Sequence, residues 1–218
     1  MPNTKVKQLN SSDVFNYSLG LKDGATVSVD WVQQLVLRGR VFHAYVGSAT
    51  TPATLDASYA ATDPDISLDV PDGTAIIPLC IRVVVEAYGT TALWETFTLC
   101  SKTLAASSAG ALFTPINMAT RQGGGSNCVV YTAPTVTDGN TVGAFEIGRR
   151  TQSKAVTIAT AIDTSTWQPE AFEWNYRTQG FAPVLHGEAS MATWVTSQAC
   201  TGYIQYFWAE LSETELTY

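Results

Sequence analysis

Short runs in which apolar and polar side chains alternate, broken by Gly, Pro, Asp and Asn, recur along the chain. A two-residue period of this kind predicts half-buried β-strands. Val27, Val29 and Trp31 alternate with Thr26, Ser28 and Asp30. Ile66, Leu68 and Val70 alternate with Ser67 and Asp69 and lead into Pro71-Asp72-Gly73, a turn in which proline presets φ and glycine supplies a positive one. Ile81, Val83, Val85 and Ala87 face one way, and Arg82, Val84, Glu86 and Tyr88 the other. Gly89-Thr90-Thr91 then reads as a tight connection into Leu93, Phe97 and Leu99, which predicts a hairpin over residues 81–99 with Glu95 as a misfit on its apolar face.

Further strands are expected at Val41–Val46, at residues 142–147 and 191–195, around Val156, Ile158 and Ile162, and where Phe172, Trp174 and Tyr176 alternate with Glu173, Asn175 and Arg177. The run over residues 203–211 is apolar on both faces, with Tyr203, Phe207 and Leu211 on one and Ile204, Tyr206 and Trp208 on the other. A strand of that kind must be covered twice. One stripe is expected to fill the core, through Phe207, and the other, Ile204, Tyr206 and Trp208, to meet a neighbouring subunit or a covering loop. Only residues 13–19 and Trp31–Leu37 suggest short helical turns.

About ten strands with no helix between them exclude the βαβ alternation of a parallel sheet. The pattern predicts an all-β protein, an antiparallel two-sheet β-sandwich with jelly-roll topology as the leading arrangement. With no linker in sight, residues 1–218 read as a single domain.

Charge changes the functional picture. The chain has 19 acidic and 12 basic residues and a formal net charge of -7, and only 14% of its residues are charged. Without clustered cations to displace phosphate counterions, no direct nucleic-acid binding is expected, and the pairs Arg38/Arg40 and Arg149/Arg150 read as solvated charges or ion-pair partners. A surface poor in charge and rich in Thr, Ser and Ala suggests contact with other protein, hence a homo-oligomer. The longest apolar stretch, residues 76–85, contains Pro78 and Arg82, so no transmembrane segment is expected; the first ten residues carry no apolar run of a signal peptide, and a cytosolic origin follows.

Candidate chemistry is sparse. His43 sits within a strand, and His186-Gly187-Glu188 offers an H-x-E pair on one strand face without the further histidines that a metal-binding cupin needs. Gly123–Gly125 lacks the Lys-Ser/Thr end of a phosphate loop. Asp63, Asp65, Asp69, Asp72, Glu170 and Glu173 would make a glycosidase pair only by converging from separate loops, and solvated loop acids are the default. Cys80, Cys100, Cys128 and Cys200 match no metal or redox spacing and read as small buried hydrophobes, with a Cys80–Cys100 disulfide as the alternative. Trp167, Trp174, Tyr176, Trp194 and Trp208 are the rings an exposed sugar-stacking patch would use, although Trp174 and Trp194 read first as core. No catalytic residue, metal ligand or cofactor is assigned.

Val70-Pro71-Asp72-Gly73-Thr74 leading into a long hydrophobic strand, loops rich in Ala, Ser and Thr, an acidic balance and an aromatic last strand together resemble the capsid and surface proteins of icosahedral viruses and phages. The resemblance covers most of the chain and transfers no individual residue. It departs from many RNA-virus coat proteins in lacking a basic N-terminal arm, which favours a DNA-virus or phage shell, or a decoration or fibre protein. It implies a non-enzymatic structural subunit located in the virion, with copies of itself and other virion proteins as partners. The alternatives are a carbohydrate- or receptor-binding head, with a glycan or host receptor as partner, and a small β-sandwich enzyme.

Overall fold

The computed structural model describes residues 5–9, 15–19, 30–48, 50–88, 93–104, 109–121, 124–136, 144–153, 170–197 and 199–216. Strands β1 (Lys5–Leu9) and β2 (Phe15–Leu19) form an antiparallel pair. After helix α1 (Trp31–Leu37) come β3 (Val41–Val46), β4 (Ala53–Leu55), β5 (Ile66–Val70), β6 (Thr74–Tyr88) and β7 (Leu93–Ser101). Next are β8 (Ala111–Phe113), β9 (Ile116–Asn117), β10 (Val129–Thr132), β11 (Phe145–Ser153) and β12 (Glu170–Asn175). Helix α2 (Tyr176–Gln179) is followed by β13 (Leu185–His186), β14 (Ala189–Thr196) and β15 (Cys200–Ser212).

Two antiparallel sheets face each other. One has the order β11-β7-β14-β5-β10-β8, and the other β12-β6-β15-β3-β9 with β13 added beside β6 and β4 beside β15. Eight strands make the body, β3, β5, β6, β7, β11, β12, β14 and β15. The first of these pairs with the last, β5 with β14, β6 with β12 and β7 with β11. The chain is thus a long antiparallel ribbon folded back on itself and rolled so that its successive strand pairs alternate between the two sheets.

Alternation decides what the two inner faces carry. Ile66, Leu68 and Val70 of β5, Met191 and Val195 of β14 and Trp94 and Cys100 of β7 meet Ile81, Val83 and Val85 of β6, Phe42, Ala44 and Val46 of β3 and Ile204, Tyr206 and Trp208 of β15. Outer faces are partly covered too. Val32, Leu35 and Val36, spaced i, i+3, i+4 on α1, pack on Val41, Leu79 and Ala209 of the β12-side sheet. On the other sheet every residue of β5 and β14 is buried, and Tyr59 lies over Phe97 and Trp194 at 5.6 and 6.1 Å. Trp194 Nε1 also donates to the Ala60 carbonyl at 2.9 Å, and Ser190 Oγ to that of Thr103 at 2.7 Å.

The sandwich, the helical turn at Trp31–Leu37 and the strands Val41–Val46 and Ile66–Val70 agree with the sequence expectation. Gly73 has φ +75, as the turn after β5 requires. Other expectations are corrected. Residues 81–99 are not a hairpin, since β6 pairs with β12, β13 and β15, whereas β7 pairs with β11 and β14 in the opposite sheet. Alternation tells which side chains share a face, not which strand lies alongside. Glu95 is no misfit, because β7 turns Trp94, Thr96 and Cys100 inward and leaves Glu95 outside, paired with Arg149. Phe15–Leu19 is strand rather than helix, Trp31 opens a helix, and Tyr176 starts α2. Val27, Val29, Val156, Ile158, Ile162 and Trp167 lie outside the described residues.

Candidate assembly surface

The stripe Ile204, Tyr206 and Trp208 does not reach the surface: all three side chains are 0% exposed and belong to the core. The expected subunit-contact role of these residues is therefore corrected, and with it the assignment of Phe207 to the core. Because β15 is flanked by β3 and β6, its inward stripe is fixed by theirs. Ile204 lies opposite Val46 and Val83, and Tyr206 opposite Ala44 and Ile81. Phe207 instead points outward, half-buried, where its ring stacks on His43 at 4.3 Å. His43 stacks in turn on Tyr45 at 5.5 Å, and Tyr45 meets Phe113 edge-on at 4.8 Å. Burial lowers the His43 pKa, which favours the neutral imidazole within this aromatic column.

The remaining sequence candidates do not converge on chemistry. His186 Nδ1 is 3.7 Å from Glu213, and Glu188 is exposed. Among the described residues no group of three or more His, Cys, Asp or Glu is placed to hold a metal. Trp174, Trp194 and Trp208 are 3%, 1% and 0% exposed, so these three of the rings considered for sugar stacking are core residues, while Trp167 lies outside the described residues. All four cysteines are free, with Cys80 and Cys100 on opposite sheets. Burial pushes the thiols of Cys100 and Cys200 up to about 12, which suits packing and not nucleophilic work. Arg40 pairs with Glu215 at 3.1 Å, Arg149 with Glu95 and Glu146, and Arg150 donates to the Ala171 carbonyl.

Two buried acids carry structure that sequence reasoning did not foresee: Glu210, which it did not single out, and Asp65, which it read as a solvated loop acid. Glu210, 4% exposed, accepts from Ser126 Oγ at 2.6 Å and from the Asn127 N–H at 2.8 Å, and so ties the chain before β10 to β15. Gly124 and Gly125 border a cavity of about 220 Å³ beside it, together with Arg38 and Arg40. Replacing Glu210 with alanine strands both donors, and a loss of about 1–3 kcal/mol is expected in urea unfolding. An unchanged midpoint would show that water takes over both bonds. Asp65, 5% exposed, accepts from the Asp56 N–H at 3.0 Å and from the Val195 N–H at 2.7 Å. Burial raises its pKa to about 7 against the pull of those two N–H groups. Asp65 lines a cavity of about 290 Å³ with Tyr45, Thr54, Phe113 and Thr132. The one sequence signal was an acid directly before the alternating strand Ile66–Val70.

Several large apolar side chains remain at the surface. Leu112, Ile116 and Met118 are 66%, 45% and 41% exposed, and Phe145, Phe181 and Val184 are 41%, 71% and 39% exposed. Among the described residues no helix is long and apolar enough to cross a membrane.

The fold and this surface define an antiparallel all-β sandwich with bare apolar edges. No family model and no curated protein matches the chain. Among solved structures, the infectious bursal disease virus VP2 subviral particle is similar at 14% identity and a TM-score of 0.20, over 96% of this chain and 51% of that one. This chain therefore spans about half the length of that protein. The likeness is a weak resemblance to a viral capsid protein.

Proposed function

We propose that the chain is a non-enzymatic structural subunit of a viral or phage particle, a jelly roll that assembles with copies of itself and with other virion proteins. The observation that carries this is the strand order, in which β3 pairs with β15, β5 with β14, β6 with β12 and β7 with β11. That double Greek key is the plan of viral capsid, lectin and cupin domains. Fold alone does not select among these. The interior favours the structural role: the space between the sheets, where a cupin holds its ligands, is filled by Trp94, Trp208, Tyr206 and Met191. The surface favours it as well, since only 14% of residues are charged while Leu112 and Phe181 stand mostly in solvent. Copies of the purified full-length chain are expected to form regular oligomers or particles at micromolar concentration, seen by light scattering and negative-stain imaging. A clean monomer throughout that range overturns the assignment.

A further inference from the structure

Asp65 is a buried acid with no Lys, Arg or His paired to it among the described residues. Each of its carboxyl oxygens accepts one backbone N–H, from Asp56 and from Val195, and each keeps room for a further donor. The cavity of about 290 Å³ that Asp65 lines lies at an open side of the sandwich. Tyr45 belongs to the end of β3, beyond Phe42 and His43, the two residues with which β9 pairs. Phe113 of β8 and Thr132 of β10 come from the other sheet. Thr54 and Ala133, both exposed, leave the cavity accessible from solvent.

The chemistry of its wall is one-sided. Thr132 Oγ1 already donates to the Ala111 carbonyl at 3.3 Å, so its hydroxyl has only accepting capacity left. None of the lining residues is basic. The rings of Tyr45 and Phe113 meet edge-on at 4.8 Å, and aromatic faces attract cations. An acid, a hydroxyl acceptor and two rings are the groups that an amine needs.

We infer that this cavity binds a small organic ammonium ion, its N–H groups on Asp65 and Thr132 and its carbon chain against Tyr45 and Phe113. The site is independent of the assembly role. Its volume falls at the lower end of small-molecule pockets, about 300–1,000 Å³, and so selects a short ligand. Burial without a cation raises the Asp65 pKa to about 7, and a bound ammonium favours the carboxylate. Affinity should therefore rise with pH as Asp65 ionises. The other ionisable groups around it are Asp56, next to β4, and Cys200 and Tyr206 of β15, with His43 behind the Tyr45 ring. Burial holds the Cys200 thiol at about 12 and the Tyr206 hydroxyl well above its ordinary value, so both stay neutral near pH 7. Burial likewise favours neutral His43, and Asp56, when ionised, only adds to the attraction.

The test titrates the full-length chain with n-butylammonium and, separately, with its neutral isostere 1-butanol, followed by ligand-detected NMR. Butylammonium is expected to bind at pH 8 with a dissociation constant on the order of millimolar, and 1-butanol at least about tenfold more weakly. Between pH 8 and pH 6 the butylammonium affinity should fall about tenfold, as one group of pKa near 7 is protonated. Asp65→Asn should weaken binding at pH 8 and abolish that pH dependence, with thermal melts to verify folding. Should the asparagine variant not fold, Thr132→Val is expected to weaken butylammonium several-fold, and the wild-type pH profile stands in for the acid. Equal binding of 1-butanol would mean an apolar pocket indifferent to charge and overturn the inference. So would a wild type that binds neither probe, or butylammonium binding that none of these variants and no change of pH alters.

Discussion

Trp208→Ala is expected to destabilise the isolated subunit by about 3–5 kcal/mol, the range for emptying a fully buried aromatic site. The side chain is 0% exposed, stacks on Phe42 at 6.1 Å and sits in the middle of the largest core cluster. Removing it leaves a cavity between two sheets that cannot close without shifting β3 and β6 on either side of β15. Phe207→Ala, one residue away, is expected to lose only about 1–2 kcal/mol, because that side chain is only partly buried on the outer face. Denaturant midpoints of the two variants, measured below the concentration of assembly, check the contrast. Equal losses would mean that the outer aromatic column is as tightly packed as the core.

The second large effect is one of pH. Asp65 has a folded-state pKa raised to about 7 from the ordinary 3.8, with burial the main cause and Asp56 a smaller one. The Asp56 carboxyl is itself raised, by burial first and by Asp63 second. Between these two Asp65 values the folded chain binds a proton that the unfolded chain releases, so stability is greatest below about pH 4 and falls as pH rises to about 7. At about 1.4 kcal/mol per pKa unit, the loss attributable to Asp65 is on the order of 4 kcal/mol. Urea midpoints recorded from pH 4 to 8 should decline across that window in the wild type and decline less in Asp65→Asn. The asparagine variant should also start from a lower midpoint, since its amide presents N–H to one of the two backbone donors that Asp65 accepts. A wild-type curve no steeper than that of Asp65→Asn would show that Asp65 is ionised in the folded chain.

The same two sites show what the sequence held and what it did not. Local alternation was enough to find β5, β3 and the buried pair Phe172 and Trp174, since each has one polar and one apolar face. It also gave α1, where Val32, Leu35 and Val36 fall on one side. It failed at β15, where both stripes are apolar and only the partners decide which turns inward. It failed again at β6 and β7, which are neighbours in the chain but partners of distant strands. Asp65 looked like any loop acid, because its environment is built by the N–H groups of Asp56 and Val195, the latter from a strand more than a hundred residues further on.

The ribbon-like pairing has a consequence for how the protein is made. β15 holds the seven-stranded sheet together by bonding to β3, β4 and β6 at once, and it is the last strand of the chain described. At roughly 5–20 residues per second of synthesis, the stretch of about 150 residues from β3 to β15 takes on the order of ten seconds or more to appear. Throughout that interval the inner stripes of β3 and β6 have no central partner, and the nascent chain can gain little from folding early. Such dependence on distant pairs also makes the refolding of the finished chain slow, on a millisecond to second scale. The edges of both sheets therefore take shape only after β15 has been made, so an unfinished chain lacks the surface that the proposed assembly would use.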